Sequence, residues 1–107
     1  MNPSRQFELV YAPVIKQHLK ALEPKYYSLI REALEKQLRF EPGTETRNRK
    51  PLKRPVVYGA KWELRFGRNS RFRAFYRIDY QNKEVIILAI GQKLGNRIYV
   101  GGEEVEL

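Results

Sequence analysis

Residues 60–77, AKWELRFGRNSRFRAFYR, constrain the fold more than any other part of the chain. On both sides of residues 67–70 the side chains alternate with a period of two, which is typical of strands with two different faces. One set is apolar and largely aromatic: Trp62, Leu64, Phe66, Phe72, Ala74, Tyr76 and Ile78. The other set is charged: Lys61, Glu63, Arg65, Arg71, Arg73 and Arg77. The segment therefore predicts a β-hairpin with a buried face and a solvated face that presents a row of guanidinium groups.

The length and composition restrict the class of protein. A chain of 107 residues predicts a single domain, 1–107, and 42% hydrophobic residues are enough for a packed core. There is no cysteine, which excludes disulfides, cysteine nucleophiles and thiolate metal sites. The sequence has no apolar run of bilayer length and no secretory signal at its start. We therefore expect a cytoplasmic protein that does not associate with membranes.

The positive charge is concentrated in one third of the sequence. The formal net charge is +9, and residues 47–77 contain eleven lysines and arginines against one glutamate, so the rest of the chain is close to neutral. Such a local excess attracts polyanions and steers their approach. Nucleic acid is the first expected partner, and an acidic protein segment is the second. The candidate RNA-binding residues are Lys50, Lys53, Arg54, Lys61, Arg68, Arg71, Arg77 and Arg97.

The segments around the hairpin predict the remaining elements. Before it we expect a strand at residues 6–11, a helix that begins at Pro13, and a longer amphipathic helix within residues 25–40. After it, residues 85–90 (VIILAI) predict an inner strand that ends at Gly91.

The last residues predict less regular structure. Residues 96–100 fit either a short strand or a turn of helix, and residues 101–107 (GGEEVEL) read as an exposed acidic tail. Helices that precede a run of strands indicate an α+β fold, with a helical hairpin packed on a mainly antiparallel, twisted sheet.

The candidate chemistry uses cations and a phenol. The single histidine, His18, has no second nitrogen or sulfur ligand to join it, so we expect it to be structural or on the surface, and we expect no metal site and no cofactor. Cleavage of RNA by its own 2′-hydroxyl needs a proton acceptor, charge stabilisation on the phosphate and a proton donor. Arginines can stabilise the charge, and a tyrosine or lysine whose pKa is lowered by nearby cations can transfer a proton.

The ordered motifs resemble the RelE/ParE superfamily of bacterial toxin–antitoxin toxins. They are WELRFG, RFRAFYRID, a hydrophobic strand that ends in AIGQK, and NRIYV, preceded by two helices and a KPL element at residues 50–52. For the RelE branch the resemblance implies an endoribonuclease that cuts mRNA in the ribosomal A site without a metal and so inhibits translation. It also implies an acidic antitoxin, the ribosome and mRNA as partners.

The resemblance also assigns roles to four residues. Arg65 and Arg73 would hold the phosphate, Lys93 would stabilise charge or relay a proton, and Tyr99 would act on the attacking hydroxyl. Glu63 departs from the pattern, because some RelE-type nucleases have a further lysine there. Two alternatives remain open: a gyrase inhibitor of the ParE type that is not a nuclease, and a basic RNA- or ribosome-binding module without catalysis.

Overall fold

One mixed sheet organises residues 6–53 and 58–106, which are the residues that the computed structural model describes. Within them the strands are β1 (Glu8–Tyr11), β2 (Arg49–Pro51), β3 (Trp62–Phe66), β4 (Phe72–Asp79), β5 (Glu84–Leu94), β6 (Arg97–Val100) and β7 (Glu103–Val105). The helices are α1 (Ile15–Lys20) and α2 (Tyr27–Leu38), with single turns of 3₁₀ helix at Pro24–Tyr26 and Arg68–Ser70. The strand order is β2-β3-β4-β5-β6-β7. All of these neighbours are antiparallel, which confirms the α+β prediction.

The long strand β5 is the centre of the sheet. Along one edge it pairs with β4 over most of its length. Its other edge is shared, because β1 pairs in parallel with residues 84–87 and β6 pairs antiparallel with residues 91–94. A strand with neighbours on both edges and packing on its faces is expected to be apolar throughout, which accounts for VIILAI.

The predicted hairpin of residues 60–77 is confirmed as β3 and β4. Its turn contains Gly67, Asn69 and Ser70 at φ values of 80°, 57° and 53°. Glycine and asparagine reach this left-handed region most readily. The resulting register places Arg65 directly opposite Arg73.

The helices cover one side of the sheet, here called the helix face. Leu34 and Leu38 of α2 are fully buried against residues of the hairpin that include Leu64 and Tyr76. The Tyr76 hydroxyl donates a hydrogen bond of 2.7 Å to the carbonyl oxygen of Pro42. Neither described helix has the length and apolar character that a membrane crossing requires. The apolar, largely aromatic face predicted for the hairpin packs against the helices and forms part of the main core.

The opposite side, here called the open face, is solvated only in part: Lys61, Arg65 and Arg77 are exposed, whereas Glu63 and Arg73 are buried. Ala60, Phe75, Ala89 and Val100 form a second buried cluster there. The apolar side chains packed against this cluster come from other segments: Leu52, Leu88, Ile98 and Val105. The prediction failed for the buried positions because the alternation within a hairpin does not show which residues of other segments will cover its second face.

Two further predictions are corrected. The acidic segment 101–107 is not simply an exposed tail, because residues 103–105 form β7 beside β6. Gly91 does not end its strand; a Cβ there would collide with the carbonyl oxygen of Tyr99, so the glycine lets β6 approach closely. The segment before the hairpin adds β2 to the sheet, and in it Arg49 pairs with Leu64.

Candidate nucleic-acid interface

Three of the four predicted catalytic residues lie on the open face, near the end of the sheet that carries the β3–β4 turn. Arg65 and Arg73 are direct cross-strand partners, and Arg73 is also opposite Gly91. Lys93 lies two residues after Gly91 in β5, so its side chain is on the same face. Side chains at such diagonal positions have their Cα atoms about 7–8 Å apart. These three cations are therefore neighbours.

Tyr99 does not join them. Val100 is opposite Gly91 and so belongs to the open face, whereas Tyr99 is opposite Gln92. Because successive side chains of a strand point to opposite sides, Tyr99 points to the helix face. It is half-buried there. The thickness of the sheet separates its phenol from the guanidinium groups of Arg65 and Arg73.

A buried carboxylate connects Arg65 with Arg73. Glu63 is 3% exposed and Arg73 is 5% exposed, although both belong to the set of residues that was predicted to be solvated. The Nε of Arg65 is 2.9 Å from Oε1 of Glu63, and the Nε of Arg73 is 3.6 Å from Oε2. The Nη1 of Arg73 donates a further hydrogen bond of 2.7 Å to the carbonyl oxygen of Ser70. We refer to Glu63, Arg65 and Arg73 as the Glu63 cluster.

The electrostatics of the Glu63 cluster differ from those of a free pair of arginines. Burial lowers the pKa of Arg73, Glu63 opposes that shift, and Arg65 adds to it. Arginine stays protonated in proteins even so, and the cluster carries a net charge of +1. Its carboxylate occupies the position between the two guanidinium groups that a bound phosphate would take.

A second group of cations is more accessible. Arg68, Arg71 and Lys93, together called the basic rim, line a shallow pocket of about 370 Å³ with Asn69 and Gly95. The first two come from the β3–β4 turn and Lys93 from the end of β5. The backbone N–H of Lys93 donates to the carbonyl oxygen of Arg71 at 2.7 Å, which ties the two segments together. The pocket lining carries three positive charges and no carboxylate.

The side chain of Arg71 is held in place by two aromatic residues. Its Nη1 donates a hydrogen bond of 2.8 Å to the hydroxyl of Tyr26. Its guanidinium carbon lies 4.7 Å from the ring centroid of Tyr26 and 5.6 Å from that of Phe72, within the range of cation–π attraction. The two rings are themselves in contact, with centroids 5.1 Å apart. The side chain of Arg71 therefore points towards the helix face at the end of the sheet and does not lie beside that of Arg73.

The other predicted RNA-binding residues are dispersed. Lys50 lies opposite Glu63 in the register of β2 and β3 and is 3.6 Å from a carboxylate oxygen of Glu45. Arg97 is 3.4 Å from a carboxylate oxygen of Glu104. Lys53, Lys61 and Arg77 are exposed, and Arg54 lies outside the described residues.

The histidine is structural, as expected. His18 is 3% exposed, and its Nδ1 accepts a hydrogen bond of 3.2 Å from the backbone N–H of Ile90. Burial lowers the pKa of its imidazole, which favours the neutral form that this acceptor role requires. Within residues 6–53 and 58–106 there is no group of three or more histidine, cysteine or acidic residues able to hold a metal.

Sequence reasoning missed the residues that position the cations. Tyr26 belongs to the 3₁₀ turn before α2, and its contact with Arg71, 45 residues away, has no signature in the sequence. The bridging role of Glu63 could have been found. The alternation places Arg65 and Arg73 on one face of neighbouring strands, and Glu63 lies two residues from Arg65 on that same face.

Comparison with known proteins identifies the fold. No protein-family model matches the chain, and no curated protein matches it in sequence. Among solved structures it is similar to a chain of the crystal structure of the toxin-antitoxin complex RelBE2 from Mycobacterium tuberculosis, with a TM-score of 0.65 and 24% identity. The match covers 82% of this chain and 92% of the other. The protein thus has a RelE-like fold.

Proposed function

We propose that this protein is the toxin of a toxin–antitoxin pair, that it acts in the cytoplasm, and that it inhibits translation by cutting mRNA on the ribosome. The observation that supports this most is the combination of a RelE-like fold with accessible cations, the basic rim and Arg65, at one end of the sheet. A basic end of this kind suits a substrate whose backbone is a row of phosphates.

The proposed reaction is attack by a 2′-hydroxyl of the mRNA on the adjacent phosphate, a route that needs no metal or cofactor. Arg68 and Arg71 would stabilise the charge that develops on the phosphate oxygens in the transition state. Stabilisation of this kind is usually the largest single contribution to the rate enhancement. Lys93 would protonate the leaving oxygen. Tyr99 can accept the proton of the attacking hydroxyl only from a substrate that passes around the end of the sheet, because its phenol lies on the helix face.

The proposed inhibitor is an acidic antitoxin. The structurally similar chain belongs to a toxin-antitoxin complex. An acidic peptide segment laid across the basic rim would neutralise the cations that the mRNA needs, so that inhibitor and substrate compete directly.

Cleavage on the ribosome tests the proposal. The pure protein is added to ribosomes that translate a defined mRNA, and the new 3′ ends are mapped. We expect cuts within the codon of the A site, and we expect the double variant Arg68→Gln/Lys93→Gln to cut at least ~10²-fold more slowly. Lys36→Gln serves as a control, because it also removes charge from an exposed position but on α2. An absence of A-site cuts at all protein concentrations would refute the nuclease function.

A non-catalytic RNA- or ribosome-binding module is the second candidate. Two observations favour it: Glu63 fills the gap between Arg65 and Arg73, and Tyr99 is on the other face. It predicts ribosome binding that weakens steeply with salt and is not followed by cleavage. If the protein neither cuts mRNA nor binds ribosomes but lowers the supercoiling activity of DNA gyrase, the ParE-type alternative replaces both.

A further inference from the structure

We infer that the basic rim is a binding site for a single phosphate group and that the Glu63 cluster is not. Three cations from two segments converge on one pocket, and the pocket lining contains no carboxylate to neutralise them. A volume of about 370 Å³ exceeds what one phosphate needs, so the attached sugar also has room. Phosphate is the anion that an arginine fork and a lysine point charge bind best together.

The donors that a phosphate requires are present on the rim. The Nη1 of Arg71 donates to Tyr26, and among the described residues no hydrogen bond engages its Nη2. Arg68 and Lys93 are both exposed. Neither forms an ion pair with a described carboxylate, in contrast to Arg97 and Lys50.

The rim is also preorganised. Two aromatic rings and one hydrogen bond fix Arg71, and the backbone hydrogen bond between Lys93 and Arg71 fixes the spacing of the two segments. A cation that is already immobilised loses less conformational entropy when it binds an anion. Tyr26 is a positioning residue in this arrangement, because it acts through Arg71.

The Glu63 cluster lacks these properties. Its carboxylate is buried and already contacts both guanidinium groups, so a phosphate that bridged Arg65 and Arg73 would have to displace it from a position that is 3% exposed. The displaced carboxylate would then be buried without a partner, which is strongly unfavourable. An anion that reaches the open face is therefore expected to bind at the rim.

The phosphate site is inferred from geometry alone, whereas its assignment to a phosphate of the mRNA backbone rests on the proposed function. Free phosphate and an RNA phosphate share the same chemistry. The two sources are separated by testing inorganic phosphate in the absence of RNA and, in a second arm, cleavage on ribosomes.

Titration of the full-length, ¹⁵N-labelled protein with inorganic phosphate tests the site. We expect saturable shifts of the backbone amide signals of Arg68, Asn69 and Lys93, and smaller shifts at Arg65. The affinity of Arg68→Gln/Lys93→Gln should be at least ~10-fold lower than that of the parent, because two charged donors are lost. Lys36→Gln should bind phosphate with the parental affinity. Unchanged circular dichroism and melting temperature in both variants show that folding is not the cause.

The outcomes of the two arms are distinguishable. Saturable phosphate binding at the rim without any cleavage on ribosomes supports the site and refutes the proposed function. Cleavage by the double variant at the parental rate refutes the assignment to mRNA. Shifts that are scattered, that do not saturate, or that are as strong in the double variant overturn the site itself.

Discussion

The Glu63 cluster and the basic rim use the same kind of side chain in different settings. In the cluster, Arg65 and Arg73 are bridged by a buried carboxylate, and Arg73 is almost fully enclosed. In the rim, Arg71 is fixed by a neutral hydroxyl and two aromatic rings, which leave its charge uncompensated. Arg73, enclosed beside the carboxylate, supports the structure, whereas Arg71, held by a hydroxyl and two rings, keeps a charge that no described carboxylate compensates.

The largest expected effect is on stability and concerns Arg73. Arg73→Met leaves Glu63 with Arg65 as its remaining ionic partner, and the carboxylate stays buried. Removing one partner of a buried ion pair typically costs about 3–5 kcal/mol; since Arg65 remains, we expect a loss of about 2–3 kcal/mol in the free energy of unfolding. Urea denaturation measures it. Arg68→Gln, on the exposed rim, should change this free energy by less than about 0.5 kcal/mol. Equal losses of unfolding free energy in Arg73→Met and Arg68→Gln would show that the Glu63 cluster and the basic rim do not differ in their contribution to stability.

Replacement of the bridging carboxylate should open the Glu63 cluster to external anions. In Glu63→Gln the two guanidinium groups face each other without compensation, so we expect a loss of about 1–2 kcal/mol in the free energy of unfolding. Added phosphate should then raise the melting temperature of the variant more than that of the parent, because the anion replaces the missing carboxylate. Calorimetry with and without phosphate measures both effects. Equal shifts for parent and variant would show that the carboxylate does not exclude anions.

A buried group on the helix face should make stability depend on pH. Burial lowers the pKa of His18 in the folded state, so the unfolded chain, with a histidine pKa of about 6.5, takes up the proton first as the pH falls. The free energy of unfolding is therefore highest above about pH 7 and decreases as the pH drops through 6.5 towards the folded pKa. Between pH 7.5 and 5.5 the parent should lose up to about 1 kcal/mol more than His18→Gln.

A parallel decrease of stability in the parent and in His18→Gln would assign the pH dependence to other groups.

The smallest expected effect separates the two ways in which Tyr26 holds Arg71. Tyr26→Phe keeps the ring and removes the hydroxyl that accepts the hydrogen bond from Nη1. The net contribution of such a bond is about 0.5–1.5 kcal/mol, which corresponds to a factor of roughly 2–10 in phosphate affinity. Titration with inorganic phosphate measures it. A lower phosphate affinity in the folded variant supports positioning; an unchanged affinity shows that the ring alone suffices.

The hairpin was predictable because its signals are local. Alternation along residues 60–77 indicated the strands, and Gly67 and Asn69 marked the turn, so Arg65 and Arg73 were expected on one face of neighbouring strands; their direct pairing is a finding of the structure. The strand at residues 85–90 was predicted, but its end was not, because β5 continues to Leu94. Gly91 does not form a turn; it allows β6 to pack closely against β5. The acidic charges of residues 103–106 concealed β7, an edge strand on which charged side chains are tolerated.

The site was harder to predict because its properties depend on contacts between distant segments. The charge pattern located the cations but did not distinguish Arg73 from Arg71. In the structure Arg73 is enclosed with Glu63, whereas Arg71 packs on Tyr26. The position of Tyr99 relative to Arg73 depends on the register of two further strand pairs, β4–β5 and β5–β6. A single sequence does not determine that register.

The salt dependence of RNA affinity tests the difference between the regions most directly. For a short single-stranded RNA, each lost phosphate contact lowers the slope of log K against log salt by about 0.7. The account predicts a decrease of about that size for Arg68→Gln and for Lys93→Gln, and less than half of it for Arg65→Gln, whose charge is shared with Glu63. A decrease for Arg65→Gln as large as that for the two rim variants would contradict the account.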